Sequence, residues 1–347
     1  MKWGREKAKE QWRRWKPAVQ FVAAAAVVLA IGLNADRVVE SFRRRIQHQG
    51  WTRFRPPHET AALLVEGPRL WSGGRDGLIQ FDWERCELLD LPKGTPSLER
   101  VRSLVLDREG VLWVGHGNGV ERRQGAVWSH LDAQVGAVES VLQRRNGEIW
   151  AGGEKGLSRL EGDSFKIVRN SATLGMAGVF ALLEDRSGGL WVGSVSAVNG
   201  GLARLTADGS WQDFTHNPGL AHPSVSSIFE DREGGLWFAS GFGKRGGACQ
   251  LKDSQWKCLE KKDGLTSDRA RMVFEDSGGR FWISSETEGL ALQSGAGWRI
   301  LTPDQGMTGW EVKRIAETPN GAFWLATEDG VTMIRPDAPE LRGGVAR

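Results

Sequence analysis

The chain has 347 residues with 46 Gly, 17 Trp, no Tyr and three Cys, and its 46 Lys and Arg nearly balance 43 Asp and Glu. An apolar share of 40% is too high for a disordered chain. Three cysteines exclude a disulfide scaffold or a four-cysteine zinc site, and the missing Tyr excludes chemistry that needs a phenol.

The basic excess sits at the N-terminus: residues 1–50 hold 11 basic and 4 acidic residues, leaving 35 and 39 for the body. A near-neutral body argues against a nucleic-acid surface. Residues 1–16 form a basic tail with seven Lys or Arg, and residues 17–35 carry no charge. Nineteen helical residues reach about 28 Å, close to the hydrocarbon thickness of a bilayer. This predicts one transmembrane helix, with the basic tail cytoplasmic and the body exported, periplasmic or extracellular. Trp12 and Trp15 stand where interfacial aromatics anchor a span. A signal peptide cleaved after Ala35 is the competing reading. Residues 36–50 read as a juxtamembrane linker.

From residue 51 onward one phrase repeats: an acid, two residues, Gly, one or two residues, Trp, a small residue. It reads DREGVLWVG at 107–115, DRSGGLWVG at 185–193, DREGGLWFA at 231–239 and DSGGRFWIS at 276–284. Looser copies surround Trp71, Trp150 and Trp324, so the signature tryptophans are Trp71, Trp113, Trp150, Trp191, Trp237, Trp282 and Trp324. Each unit of about 41 residues contains short alternating runs divided by Gly and Asp turns, which predicts four strands per unit. Seven such units predict an all-β chain, a seven-bladed β-propeller over residues 51–336. Within a unit the Trp sits on strand b, and the small residue two positions on leaves room for the next blade. Strand d holds a second aromatic: Trp128, Phe165, Trp211, Trp256 or Trp298. The last unit stops after three strands, while Trp51-Thr52-Arg53-Phe54 looks like a strand d with no blade before it. Residues 51–55 are therefore expected to close the last blade, leaving 337–347 as a tail.

The phrase DREGGLWFAS, preceded by GLAHPSVSSIFE, resembles the two-component regulator propeller repeat. That resemblance implies an exported seven-bladed sensor ring that serves a kinase or another signalling module. No kinase, cyclase or DNA-binding segment is recognisable here, so the signal is expected to pass through a separate partner, a signalling or envelope protein. The resemblance implies ligand or protein binding rather than catalysis, with no cofactor. A glycan lyase or hydrolase on a propeller frame, and an envelope scaffold, are the alternatives.

Loops d–a and b–c meet at one face, where ligands commonly bind. The distance from the signature Trp to the Gly of strand c is 6 or 7 residues in five units and 10 after Trp191 and Trp237. These two longer b–c loops flank the d–a loop at 215–224. Asn199, His216, His222, Phe242, Lys244 and Arg245 are thus the first candidates for a pocket, suited to a carbohydrate or an anionic small ligand. His116, Arg269, Glu286 and Trp310 are further rim candidates, with Trp310 placed to stack on a sugar or a peptide or to bury against strand a. The histidines lack the tight spacing of a metal site, so no metal is expected. Cys249 and Cys258 fall opposite each other across a hairpin centred on Asp253-Ser254, which permits a disulfide in an oxidising compartment. Cys86 is left single.

Overall fold

The computed structural model describes residues 50–55 and 57–342. The basic tail, the apolar stretch at 17–35 and most of the linker lie outside the described residues. Among the described residues no helix is long and apolar enough to cross a membrane.

Seven four-stranded antiparallel sheets follow one another. Blades 1 to 6 begin at Thr60, Ser103, Val138, Ala181, Val225 and Ala270, and blade 7 begins at Val312. In each, strands a, b, c and d run outward in order. Blade 7 takes its strand d from the start of the ring: Trp51–Phe54 pairs antiparallel with Gly330–Ile334, Trp51 opposite Ile334 and Phe54 opposite Val331. This closure leaves no blade without its outer strand and joins both ends of the ring by main-chain hydrogen bonds.

The repeated phrase is explained by one carboxylate. Asp276 is fully buried; its Oδ1 accepts the backbone N–H of Gly278 and Arg280, and its Oδ2 accepts the indole N–H of Trp282 at 2.9 Å. The same bonds join Asp107 to Trp113, Asp185 to Trp191 and Asp231 to Trp237. Blades 1 and 3 reach their tryptophans from other positions, with Glu66 and Glu148. The acid therefore caps the a–b turn and fixes the indole of the strand that follows. The turn closes on a glycine with positive φ, as at Gly234 with φ 83°. Blade 7 has Thr318 where blades 2, 4, 5 and 6 have an aspartate, and the Trp324 indole N–H has no hydrogen-bond partner among the described residues.

Each signature indole is buried at the seam between two blades, and seven hydrophobic clusters fill the seven seams. Burying one indole is worth about 5 kcal/mol gross at ~25 cal/mol per Å². The small residue two positions after the Trp admits a side chain of the next blade: a Cβ on Gly73 would overlap Val101, and one on Gly152 would overlap Val179.

On the turn face a second device runs around part of the ring. Arg145 of blade 3 reaches Glu184 and the Asp185 carbonyl of blade 4. Arg186 of blade 4 donates to the Asp231 and Arg232 carbonyls of blade 5, and Arg232 repeats this on Asp276 and Ser277. The segment after the last strand also packs: Ala338 and Leu341 are buried against blades 6 and 7, and Arg280 donates to the Leu341 carbonyl at 3.0 Å. The expected tail from 337 thus belongs to the folded body as far as Arg342.

Replacing Asp276 by Ala strands two turn N–H groups, the Trp282 indole and the Arg280 guanidinium together. Urea unfolding is expected to show a loss of about 3–5 kcal/mol. Thr318→Ala, which strands no indole bond, is expected to cost less than half of that. Equal costs for the two variants would refute the pinning role of the acid.

Candidate functional site

The face bearing the d–a and b–c loops surrounds the axial channel. The inner strands shape that channel through a repeated β-bulge. Register shifts in strand a leave Ala61, Glu139, Ser226, Arg271 and Lys313 out of the ladder. Arg102 and Phe180 take the same place in blades 2 and 4, each just ahead of its strand and bonded to a strand b carbonyl. One residue from each of the seven blades so converges on a single small cavity of about 40 Å³, which Arg314 also lines.

The ring is charged and mostly paired. Arg102 lies 3.6 Å from Glu59 and 3.9 Å from Glu139; Arg271 meets Glu311 at 2.7 Å; Lys313 is 3.5 Å from Glu311 and 3.8 Å from Glu59. Burial pushes the Glu139 carboxyl up, against the pull of Arg102 and Arg271. Arg314 has no carboxylate partner among the described residues and donates to the neighbouring Lys313 carbonyl. Burial, with repulsion from Arg271, pulls its pKa down to about 10, so it stays charged at neutral pH. These residues were not foreseen. Their signal lay in the repeat itself: the lining residue stands eleven positions before the signature Trp in six blades and ten before it in blade 1.

The expected pocket over blades 4 and 5 takes a different form. The longer b–c segment of blade 5 is not an open loop. Strands Leu236–Phe242 and Arg245–Lys252 continue to its tip, pairing Phe242 with Arg245 across Gly243 and Lys244. The hairpin leans on the neighbouring d–a loops, with Gly241 N–H donating to the Ser224 carbonyl and its Cα packed at Arg269. In blade 4, the Ser196 hydroxyl accepts the N–H groups of Val198 and Asn199, and the Asn199 carbonyl accepts from Ala177. Gly200 of that loop packs against Pro223 and Ser224.

Of the six candidates, His222 and Arg245 are brought together. The His222 Nδ1 accepts the Ser224 N–H at 3.0 Å, and burial together with the Arg245 charge lowers its pKa. His216, Phe242, Lys244 and Asn199 are exposed, and no hydrogen bond or ion pair ties His216 to the others among the described residues. Arg269 and Glu286 pair with each other at 3.1 Å, and Arg269 also reaches the Thr287 hydroxyl at 2.6 Å. Trp310 is not buried against strand a: it is 43% exposed, its backbone N–H and that of Glu311 held by the Glu328 carboxylate. His116, expected on the solvent rim, is instead buried.

None of the six lines the larger hollows, which open on the opposite, turn-bearing face. One, of about 870 Å³, lies between blades 3 and 4, beside Arg145, Glu148, Trp150, Arg159, Arg186 and Trp211. Another, of about 560 Å³, lies between blades 4 and 5, beside Arg204, Phe214, Leu251 and Trp256. Many of their charges are already engaged: Arg145 pairs with Glu184 across the blade 3–4 seam, and Arg204 with Asp185 within blade 4. Cys249 and Cys258, directly opposed on the outer strands of blade 5, are joined by a disulfide. Cys86 is half-buried beside blade 7, its thiol pKa raised by burial.

Seven such sheets in a ring define a seven-bladed β-propeller. The family description of the two component regulator propeller matches residues 219–242. Among solved structures, the chain is similar to the extracellular domain of BT4673 from B. thetaiotaomicron, described as a one component system. The identity is 17% and the TM-score 0.52, over 78% of this chain and 44% of that one, so this chain spans under half of that domain. It is also similar to virginiamycin B lyase from Staphylococcus aureus, at 14% identity and TM-score 0.60 over 82% and 98% of the two chains. A third likeness is to YCF48 bound to D1 peptide, at 14% identity and TM-score 0.59 over 82% and 94%. At these identities the likenesses establish the fold. No curated protein matches the chain.

Replacing Arg245 by Ala removes the positive charge beside His222. NMR titration is expected to show the His222 pKa moving up toward the ordinary histidine value of about 6.5. An unchanged value would mean that burial alone sets it.

Proposed function

We propose that this chain is an exported, non-catalytic recognition module. Its d–a and b–c face binds a protein partner or a ligand and passes the bound state to a separate signalling or envelope protein. The observation that carries this reading is the state of that face. Four of its carboxylates are engaged, while large apolar side chains stand out from it. Glu286 is paired with Arg269, Glu288 with Lys261, and Glu59 with Arg75, Arg102 and Lys313. Glu328 caps two backbone N–H groups. A general base needs a carboxylate free to take a proton, and these four are committed. By contrast Val198, Phe242 and Trp310 are exposed on three different loops of the face. Aromatic anchors on such loops are what recognition surfaces use. The sensor-domain likeness and the matched repeat agree with this reading. The lyase likeness adds the fold alone.

The disulfide supports the exported setting, since such bonds persist in oxidising compartments. The predicted anchor at 17–35 would hold the ring at a membrane.

Photo-crosslinking residues placed at Phe242 or at Trp310 in the full chain are expected to trap one defined partner in cells. The same group at Ser187, on the turn face, is expected to trap none. Phe242→Ser with Trp310→Ser is expected to abolish the adduct formed from Val198 without changing the thermal midpoint. Trapping that shows no preference between faces would overturn the reading.

A further inference from the structure

Blade 2 gathers three side chains that the sequence keeps apart. His116 ends strand b (Leu112–His116), Glu121 lies in strand c (Gly119–Gln124) and His130 in strand d (Val127–Leu131). Val114 is opposite Glu121, and Glu121 is opposite His130. Side chains alternate along a strand, so residues 114 and 116, Glu121 and His130 share one face. Their donor atoms all lie within 4.8 Å of one another. Glu121 Oε1 is 2.8 Å from His130 Nδ1 and 3.7 Å from His116 Nε2.

We propose that His116, Glu121 and His130 bind a borderline divalent metal ion of the zinc class. Two imidazoles and one carboxylate are a donor set that zinc accepts, with a fourth position left for water or a ligand group. Bond lengths near 2.0–2.1 Å place neighbouring donors about 3.3 Å apart, so the 2.8 Å contact opens slightly and the 3.7 Å contact closes.

Three observations support the site. First, His116 is 4% exposed and its Nε2 has no hydrogen-bond partner among the described residues. An orphaned nitrogen in the interior is costly, and a metal bond removes the cost. Second, Glu121 is 7% exposed, and these two imidazoles are the basic groups found beside it among the described residues. A buried carboxylate needs a positive partner. Third, the His130 side chain is 51% exposed, which gives an ion a way in and a solvent-facing fourth position. Binding through Nε2 requires the proton of His116 on Nδ1. The bond given up is the 3.4 Å contact from the Asn118 N–H, at the long limit for a hydrogen bond. Asn118 lies between Gly117 and Gly119, so the turn can adjust.

The test uses the full chain, stripped by a chelator and titrated with zinc chloride at pH 7.5 by calorimetry. One equivalent per chain is expected, with a rise in thermal midpoint. His130→Ala and Glu121→Gln are each expected to weaken binding by about tenfold or more, in line with losing one of three ligands. His130 is half-exposed, so its replacement leaves the fold intact even where His116→Ala does not. His58→Ala and His216→Ala are controls expected to leave binding unchanged. Absence of zinc binding in the parent chain would overturn the proposal, as would equal binding by His130→Ala. Neither result bears on the recognition face, which is tested by crosslinking.

Discussion

The ring rests on a hydrogen bond between a buried carboxylate and an indole. In blades 2, 4, 5 and 6 an aspartate six residues before the tryptophan both closes the a–b turn and takes the indole N–H. A buried carboxylate is costly unless its oxygens are filled, and a buried indole N–H is costly unless accepted. Each group meets the need of the other. The orientation of the ring then decides where the blade seam lies. Without such an acceptor a buried indole carries the cost of an unpaired N–H, as Trp324 does in the seam of blade 7. The two blades that reach the indole from Glu66 and Glu148 keep the bond while changing its source, which shows that the acceptor matters more than its position.

That constraint explains why the architecture was legible. The acid, the turn glycine and the tryptophan are locked together at short range, so their spacing is identical in blades 2, 4, 5 and 6. Closure was legible for the same reason: Trp51-Thr52-Arg53-Phe54 has strand spacing and no blade of its own, and it does complete blade 7. The opposed Cys249 and Cys258 followed from hairpin counting, and the structure bonds them.

Function was harder to read because it depends on register and on loop form, which spacing does not specify. Ten residues between Trp237 and Gly247 suggested an open loop, but the chain uses them to lengthen a hairpin whose tip is Gly243-Lys244. The axial residues hide for a related reason. Glu139, Arg271 and Lys313 look like ordinary polar positions of alternating strands until a bulge turns them into the channel. His116 was placed on the rim by its position after a strand b, whereas its ring folds back under the turn beside Glu121. Residues separated by five and nine positions form no recognisable ligand spacing along the chain. They meet only because three strands align them.

A uniform frame also tells where to look for what is particular to this chain. The indole pins and glycine contacts recur from blade to blade and carry stability, so they say little about partners. What departs from the repeat is more informative. Blade 5 alone combines the extended hairpin with a covalent tie between its outer strands, which stiffens the base from which Phe242 projects. Blade 7 gives up the acidic pin and holds its loops by other means: the Thr60 hydroxyl donates to the Thr327 and Gly330 carbonyls, and Thr308 bonds to Thr327 and Thr332. This hydroxyl cluster lies beneath the loop that presents Trp310. The exposed Phe242 and Trp310 thus stand on two blades whose internal bonding departs from the repeat in these ways. Holding a side chain rigid before it is bound lowers the entropy lost on binding. Under the proposed recognition reading, these bonds would hold Phe242 and Trp310 in place before a partner arrives.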